Sequence, residues 1–328
     1  MTAATAPILV TCMKNEGIFL LEWVAYHRAI GFDAITINTH ECSDGTDLIC
    51  DHLAELGLIE HVRNEVPTGA NAQRNALENL LKRPDIHARD WLLHIAADEF
   101  LAISVGEGKL NDLLETMPKT ADVLALHWRS LGNGQDLEWS PSMVIENWTG
   151  SRPKPPVRLD RHKSMFKPSK FQSAIDHMPK KPTTTNIEIV NSAGQILPSH
   201  SVHHAVRESY RAGPEKATWQ NASIHHYALK TQDVFRLKGM RDSGAGTVDQ
   251  KYAIGGKLWQ RNRGGGTKCD TALRHLTETK DVLADMRADQ TLSQLEKAAQ
   301  GWFIARRDQM YKQDRINAET TTEGNHHG

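Results

Sequence analysis

The sequence has no long hydrophobic run. None of its apolar stretches approaches the roughly 18 residues that a membrane-spanning helix needs. Residues 1–7 have neither a basic start nor an apolar core, so they do not resemble a secretory signal. These two absences favour a cytoplasmic protein, and they leave peripheral attachment to a membrane surface open.

An excess of charge of one sign and paired cysteines are also missing. The 328 residues carry 39 Lys and Arg against 40 Asp and Glu, a formal net charge of −1. This balance provides no broad basic field, so we expect no nucleic-acid partner. The cysteines form no C-x-x-C pair, which favours buried free thiols in a reducing compartment. The four cysteines are Cys12, Cys42, Cys50 and Cys269.

What the sequence does contain is a regular alternation of strand and helix patterns over its first 103 residues. This alternation indicates right-handed βαβ units, so we predict an α/β fold with a mostly parallel sheet flanked by helices. Region 129–201 is rich in Gly, Pro, Lys and Ser and predicts short strands and long loops. The predicted strands are 7–12, 32–38, 58–63, 91–98 and 121–127, and the predicted helices are 18–30, 46–56, 69–82, 110–117 and 291–312.

The apolar run of residues 91–98 ends in two adjacent carboxylates, Asp98 and Glu99. A continuous apolar run predicts a strand that is buried on both faces of a parallel sheet. A bare carboxylate is costly to bury there unless it is paired or bound to a metal. Ligands bind at the carboxyl ends of strands in open α/β sheets, so we expect this pair at such an end. A plain polar turn after a strand fits the segment equally well.

Several short segments occur in a fixed order along the chain. Lys14-Asn15-Glu16 follows the first predicted strand, and later segments are Cys42-Ser43-Asp44-Gly45-Thr46, Gln73-Arg74-Asn75-Ala76, Ala97-Asp98-Glu99-Phe100-Leu101 and His225-His226-Tyr227-Ala228-Leu229-Lys230-Thr231. These four later segments resemble the S-x-D-G-T turn, the A-x-R-N helix start, the D-x-D-E-F metal motif and the N-H-Y-x-x-K-S segment of family-2-type glycosyltransferases. The most similar branch contains the family-92-like enzymes, and the resemblance covers roughly residues 8–240.

The resemblance implies a GT-A fold, a nucleotide-diphosphate sugar donor and a Mn²⁺ or Mg²⁺ ion. A divalent cation that bridges the diphosphate oxygens stabilises the charge that develops as this group leaves. Hard cations take oxygen ligands, so one or two carboxylates and the phosphates suffice. Asp98 is the predicted metal ligand, and Glu99 is expected to bind sugar hydroxyls or to orient the strand end.

One position departs from the family motif. The motif has an acid two residues before Asp98, where this sequence has Ala96. The lost carboxylate lowers the expected metal affinity unless another group compensates. The alternative function is therefore a catalytically silent GT-A module that binds a sugar nucleotide or a glycan.

Two residues of the last matching segment are predicted to reach the donor. His226 would supply a third metal ligand, and Lys230 would place a point charge on the diphosphate. The competing interpretation is an ordinary surface pair of histidines at a helix start. The pair His203-His204 has no such family match and is interpreted as structural.

The remaining donor-site candidates come from three turns. Asn15 and Glu16 would lie near the base or ribose, with a helix cap as an equal alternative. Asp44 belongs to the same predicted nucleotide site, although helix capping is the favoured role for its turn. Arg74 lies in the first turns of a helix, where backbone N–H groups and the guanidinium attract phosphate. A solvated helix face is the alternative for Arg74.

An inverting transfer needs a general base, which takes the proton of the acceptor hydroxyl. The region after the metal motif offers Asp136, Glu146, Asp160 and Asp176, and the spacing gives only a weak preference for Asp176. A basic stretch is interpreted as meeting an anionic acceptor or the donor phosphates, or as a solvated loop. It contains Arg158, Arg161, His162, Lys163, Lys167 and Lys170.

The sequence therefore predicts a metal-dependent, inverting glycosyltransferase that moves a sugar from a UDP- or GDP-sugar to a glycan or lipid-linked acceptor. We assign 1–240 to the transferase domain, with 1–128 as the nucleotide-sugar half and 129–240 as the acceptor half. Residues 241–328 would form a helical extension with a frayed tail. A nucleotidyltransferase is less favoured because residues 13–17 are a poor match to a Gly-rich phosphate loop.

Overall fold

The computed structural model describes residues 6–132, 134–155, 161–240 and 249–324, with side chains up to residue 317. The first part of the chain alternates strands and helices as predicted. In order, these elements are β1 (Ile8–Met13), α1 (Gly17–Ala29), β2 (Ala34–Thr39), α2 (Thr46–Glu55), β3 (Glu60–Arg63), α3 (Ala72–Leu80), α4 (Pro84–His87), β4 (Leu92–His94), β5 (Glu99–Ile103), α5 (Leu110–Glu115) and β6 (Val123–Ser130).

The second part begins with short strands and ends in helices. Its elements are α6 (Val144–Asn147), β7 (Gly150–Ser151), β8 (His162–Phe166), β9 (Phe171–Ile175), β10 (Met178–Pro182), β11 (Ile189–Asn191), β12 (Ile196–Leu197), β13 (Ala222–His226), α7 (Gln232–Lys238), α8 (Lys257–Asn262), β14 (Thr267–Lys268), α9 (Leu276–Ala288) and α10 (Gln290–Gly324). Short 3₁₀ turns are Pro168–Lys170, His200–His203, Pro214–Lys216, Gln250–Tyr252 and Thr271–His275.

The main sheet has the strand order β12-β11-β6-β8-β4-β1-β2-β3, and β5 and β13 continue from β6. The strand β1 lies parallel between β2 and β4, with Leu9 opposite Ile35 and Leu93. All three of these side chains are buried, as the continuous apolar runs predict. The strand β8 lies antiparallel between β4 and β6. The predicted α/β architecture, with a mostly parallel sheet flanked by helices, is confirmed.

The segment around the acidic pair differs from the prediction of one strand over 91–98. β4 ends at His94, and β5 begins at Glu99 and pairs antiparallel with β13. Asp98 therefore lies in a turn between two strands rather than at the end of one. The Glu99 carboxylate explains the turn, because it accepts a hydrogen bond from the backbone N–H of Ala96 at 2.6 Å. The apolar residues after Glu99 belong to the second strand.

The aromatic residues of α1 hold β5 in place. Trp23 Nε1 donates to the carbonyl of Glu99 at 2.9 Å, and the Tyr26 hydroxyl donates to the carbonyl of Leu101 at 3.0 Å. Both side chains are fully buried, so each polar tip needs such a partner. These two bonds fix the strand that starts at the acidic pair against the helix that follows β1.

The C-terminal helices pack on the first half of the chain. α9 contacts α1, and α10 contacts both α1 and α2. Phe303 and Met310 of α10 belong to the same apolar core as Phe19 and Trp23. The predicted helix 291–312 is confirmed and extends further in both directions. The division at residue 240 adjoins residues 241–248, which lie outside the described part, and stays a prediction. Of the helices described, none is both long and apolar enough to cross a bilayer.

Candidate functional site

A cavity of about 460 Å³ lies where β1 and β2 end. Asn15, from the turn after β1, and Ser43, from the turn after β2, line one side of it. The opposite walls come from α7 and α10, and they include Lys238, Trp302 and Arg306. The carboxyl ends of neighbouring parallel strands are where α/β sheets bind ligands. The cavity is therefore the candidate site.

Asp98 is connected to this cavity through Lys238. The Lys238 ammonium donates to Asp98 Oδ2, and His226 Nε2 lies 3.6 Å from the same oxygen. Asp98 is only 4% exposed. Burial alone would raise its pKa, but Lys238, His226 and Lys230 outweigh burial and hold the pKa of Asp98 well below its usual value. Asp98 is thus an ionised carboxylate that already has a cationic partner.

His226 lies beside Asp98 and is only partly satisfied. Its ring lies against the Trp128 ring, with 4.5 Å between the centroids. Its Nδ1 is buried and has no hydrogen-bond partner among the described residues. The structure therefore brings His226 and Asp98 together, and their role as metal ligands stays a prediction.

Glu99 belongs to a different charge cluster. Its Oε2 lies 3.3 Å from the Lys163 ammonium, and Lys163 donates to Asp176 Oδ1 at 2.5 Å. His94 Nδ1 lies 3.5 Å from the same Asp176 oxygen. Burial disfavours the charge on Lys163, but Glu99 and Asp176 outweigh burial and raise its pKa. We call these four residues, Glu99, Lys163, Asp176 and His94, the Lys163 cluster.

The Lys163 cluster affects how well Asp176 could act as a general base. Burial would raise the pKa of Asp176, but Lys163 and His94 outweigh burial and lower it. A carboxylate with a depressed pKa accepts a proton weakly at neutral pH. Asp176 stays the base predicted from the sequence, and its ion pair with Lys163 counts against it.

The other predicted bases are held elsewhere. Asp136 accepts a hydrogen bond from Trp148 Nε1 at 2.8 Å. Glu146 forms an exposed ion pair with Lys280 at 3.0 Å. Asp160 lies outside the described residues, as does Arg158 of the basic stretch.

The basic stretch does not form one surface. Lys163 is buried in its cluster, whereas Lys167 lies 3.5 Å from Asp122. Arg161 donates to the carbonyl of Arg261 at 2.7 Å. Lys163, Lys167 and Arg161 therefore have separate partners.

Lys230 lies behind the cavity wall. Its ammonium donates to the carbonyl of Tyr227 at 3.0 Å and lies 4.4 Å from the centroid of the Phe19 ring. Phe19 lines the cavity, whereas Lys230 is 2% exposed. A contact with a diphosphate would need this side chain to move, and its donor role stays a prediction.

The turns after β1 and β2 are tied together at the cavity rim. Asn15 has a left-handed φ of 55°, and its Oδ1 accepts from the Ser43 N–H at 2.7 Å. Asp44 Oδ2 accepts from the N–H of Gly17, and its Oδ1 accepts from the N–H of Thr46. Asp44 therefore links the first turns of α1 and α2.

The neighbouring carboxylate contributes through its backbone. The N–H of Glu16 donates to Thr46 Oγ1 at 2.9 Å, and Glu16 is buried. Together, these bonds fix the rim that Asn15 presents to the cavity. Roles for Asn15, Glu16 and Asp44 in nucleotide binding stay predictions.

Arg74 lies in another part of the molecule. Its backbone N–H donates to the capping side chain of Asn71 at the start of α3. Its side chain lines a separate cavity of about 340 Å³, together with Lys180, Lys181 and His203. The structure does not place Arg74 among the described residues that line the cavity beside Asp98.

No protein-family model matches this sequence. A curated glycosyltransferase family 92 protein from Ricinus communis is 24% identical over 273 residues, which cover 79% of this chain. The chain is similar to a family 92 glycosyltransferase. This similarity confirms the resemblance that the motifs indicated. The matched region spans 40% of the length of the family 92 relative.

Solved structures show more distant similarities. S. aureus TarS residues 1–349 in complex with UDP is 12% identical, with coverage of 95% of this chain and 92% of that chain and a TM-score of 0.35. The bifunctional glycosyltransferase WbbM is 13% identical, with coverage of 39% and 24% respectively and a TM-score of 0.25. These scores are too low to carry any argument about this chain.

The metal that the family 92 resemblance implies does not fit the donor groups around Asp98. Asp98 Oδ2 already accepts a hydrogen bond from the Lys238 ammonium. Position 96 is an alanine and offers no carboxylate, and the Glu99 carboxylate is paired with Lys163. Within the described ranges, no group of three His, Cys, Asp or Glu residues could hold a metal ion. Mn²⁺ or Mg²⁺ stays a prediction, and we assign no catalytic step to it.

Sequence reasoning missed three of the residues that line this cavity. Lys238 and Arg306 bring positive charge to it, and Trp302 supplies an aromatic wall. Lys163 was named only as part of the basic stretch, and its contact with Glu99 was not predicted. A lysine at the end of a short helix and an arginine on a long helix carry no sequence signal of their own. Lys163 lies in β8, whose five residues are all buried, and this burial was not predicted from the sequence.

Proposed function

We propose that this chain is a glycosyltransferase that binds a UDP- or GDP-sugar in the cavity beside Asp98. The sugar passes to a glycan or lipid-linked acceptor with inversion of configuration. The observation that carries the proposal is the position of the cavity at the ends of β1 and β2, with Asp98 joined to its wall. The matching motifs and the similarity to a family 92 glycosyltransferase support the same function.

The chemistry of the cavity suits a nucleoside diphosphate. Among the described lining residues, Lys238 and Arg306 are cationic and none is a carboxylate. Phe19, Trp302 and Phe303 provide aromatic surface beside these charges. A volume of about 460 Å³ falls within the range of small-molecule sites. An anionic group and a planar base would thus find complementary surfaces in one cavity.

The residues present would act mainly on the leaving group. Negative charge grows on the diphosphate as the glycosidic bond to the donor breaks, and cations fixed nearby stabilise that charge. Lys238 is fixed by Asp98, so it need not be reoriented during the reaction. The acceptor hydroxyl must lose a proton to a general base, for which Asp176 remains the proposed residue.

A direct test measures release of nucleoside diphosphate from a panel of UDP- and GDP-sugars, with Mn²⁺ and with EDTA. We expect release with at least one donor, and we expect Asp98→Asn to lower turnover by at least about tenfold because Lys238 loses its anchor. Asp281→Asn is the matched control, since Asp281 is exposed on α9 and does not line the cavity.

Other outcomes would identify a different protein. Tight donor binding without turnover would indicate the silent GT-A module that Ala96 suggested. Release of pyrophosphate from a nucleoside triphosphate and a sugar phosphate would indicate a nucleotidyltransferase. Either result would contradict the proposed transfer reaction.

A further inference from the structure

We propose that the Lys238 ammonium, held by Asp98, takes the place of a divalent cation in binding the donor diphosphate. This inference rests on the proposed function, because it assumes a nucleoside diphosphate in the cavity. It also changes the expected requirements of the site, since donor binding would need no Mn²⁺ or Mg²⁺. The pair Asp98–Lys238 becomes a built-in cation site with the lysine as its permanent occupant.

The first step is the position of the lysine. Lys238 is the last residue of α7, and its side chain is 21% exposed and lines the cavity. Asp98 is 6% exposed on its side chain and lies on the protein side of the pair. Lys238 therefore contacts the carboxylate through its ammonium and lines the cavity with the same side chain. A cation held by Asp98 would meet this same carboxylate oxygen.

The second step is competition for the carboxylate. Lys238 and His226 both approach Asp98 Oδ2. A divalent cation at this oxygen would lie next to an ammonium, and like charges at such short range repel strongly. Metal binding would require Lys238 to leave a buried carboxylate.

The third step is the absence of a second carboxylate at this corner. Position 96 offers only its backbone, whose N–H donates to Glu99 at 2.6 Å. The Glu99 carboxylate is 1% exposed and is neutralised by Lys163 on the interior side. Asp98 is therefore the one carboxylate of this segment that meets the cavity-lining lysine. The Lys238 ammonium therefore occupies the oxygen of this carboxylate that a metal ion would need.

The absence of the family's acid at position 96 and the position of Lys238 then have one explanation. A chain that carries its own cation loses the need for a second metal-binding acid. Lysine binds phosphate as a point charge, so it can stabilise the departing diphosphate without the geometry that a metal demands.

The main experiment measures binding of UDP and GDP by calorimetry, in EDTA and in excess Mn²⁺. For the wild-type chain we expect the dissociation constants in the two buffers to agree within about twofold, since the ammonium provides the charge in both. In EDTA, Lys238→Gln should weaken binding by at least about tenfold, and Lys238→Arg should retain most of the affinity. Lys297→Gln, an exposed lysine change on α10 outside the cavity, should bind as the wild type does.

A second measurement uses no variant and no nucleotide. Mn²⁺ added to the wild-type protein should keep the electron paramagnetic resonance amplitude of the free ion, because Lys238 occupies Asp98. Stoichiometric binding of Mn²⁺ by the wild type would overturn the inference even if Lys238→Gln failed to fold.

The calorimetry separates the two proposals. Binding of a nucleotide only when Mn²⁺ is present would overturn the role of Lys238 and leave the proposed function in place. Unchanged binding by folded Lys238→Gln in EDTA would have the same consequence. If neither nucleotide binds with or without Mn²⁺, the donor class itself is wrong and both proposals fail.

Discussion

Asp98 and Glu99 are neighbours in sequence, yet they serve two different parts of the molecule. Asp98 meets Lys238 at the edge of a cavity, where the lysine side chain is 21% exposed. Glu99 meets Lys163 in the interior, where both side chains are 1% exposed. Both carboxylates are paired with a lysine, and they differ in how much water reaches that lysine, which is Lys238 for Asp98 and Lys163 for Glu99.

This difference separates a structural ion pair from a functional one. A buried ion pair must offset the desolvation of both charges, and removal of one partner leaves an uncompensated charge in the interior. In the pair at the cavity edge only the lysine reaches water, because Asp98 is itself buried, so loss of this pair costs stability and also changes the potential of the cavity. We therefore expect the Lys163 cluster to act mainly on folding, and Asp98 with Lys238 to act on ligand binding as well.

The largest effect is expected from Lys163→Met. The change removes the buried ammonium that faces the carboxylates of Glu99 and Asp176, so we expect the free energy of unfolding to fall by about 3–5 kcal/mol. Urea unfolding monitored by tryptophan fluorescence measures this loss. Glu99→Gln in addition should recover part of it, because the double change removes both charges.

Lys167→Met is the matched control for this change, because Lys167 follows the same strand, lies 3.5 Å from Asp122 and has a side chain that is 27% exposed. Its cost should be smaller than that of Lys163→Met, because solvent screens a partly exposed ammonium. Similar losses for the two lysine changes would remove the distinction between a fully buried lysine and a partly exposed one.

The acid dependence of stability gives a second, smaller difference. The pKa of Asp98 is well below that of an unfolded aspartate, so its ion pair stabilises the fold above about pH 4 and is lost as the pH falls through the lower, folded pKa. Asp98→Asn has no carboxylate to protonate. Its free energy of unfolding should thus fall less steeply on acidification than that of the wild type.

Asp176→Asn sharpens this test. Its pKa is also lowered, but its side chain is 33% exposed and its ion pair is more strongly screened by solvent. We expect Asp176→Asn to reduce the slope of the unfolding free energy against pH, in the acidic range, less than Asp98→Asn does. Urea titrations over the acidic range decide the order, and a wild-type slope in Asp98→Asn would show that the Asp98 ion pair adds no acid-dependent stability.

The sequence was sufficient for most strands and helices of the first half of the fold, but it merged β4 and the turn at Asp98 into one strand. Apolar runs such as β1 allow only one arrangement, because they must be covered on both faces. Two features of the site could not be predicted from the sequence. Asp98 ends a turn and Glu99 begins β5, so the two neighbouring carboxylates do not share a site. The partner of Asp98 lies 140 residues away, and no local pattern predicts such a contact.

The same limit applies to α10, whose helical pattern was clear from the sequence and whose role at the cavity was not. The helix was predicted from its periodicity, which shows the apolar face but not the element that the face covers. Its packing on α1 and α2 places Trp302 and Arg306 in the cavity wall. Residues of the predicted extension thus become part of the candidate donor site.

The smallest effect is expected from Arg306→Gln. This change tests whether a cation of the cavity wall that is not paired with Asp98 contributes to donor binding. Arg306 is half-buried, and its guanidinium donates to Gln309 rather than to a carboxylate. Its contribution to diphosphate binding should be a screened, long-range attraction, so we expect the Michaelis constant for the donor to rise by about threefold with unchanged stability. Arg315→Gln, an exposed change further along α10, should leave the constant unaltered. If Arg306→Gln weakened donor binding as much as Lys238→Gln does, any cation in the cavity wall would contribute equally. The contact of Lys238 with Asp98 would then give no advantage in binding the diphosphate.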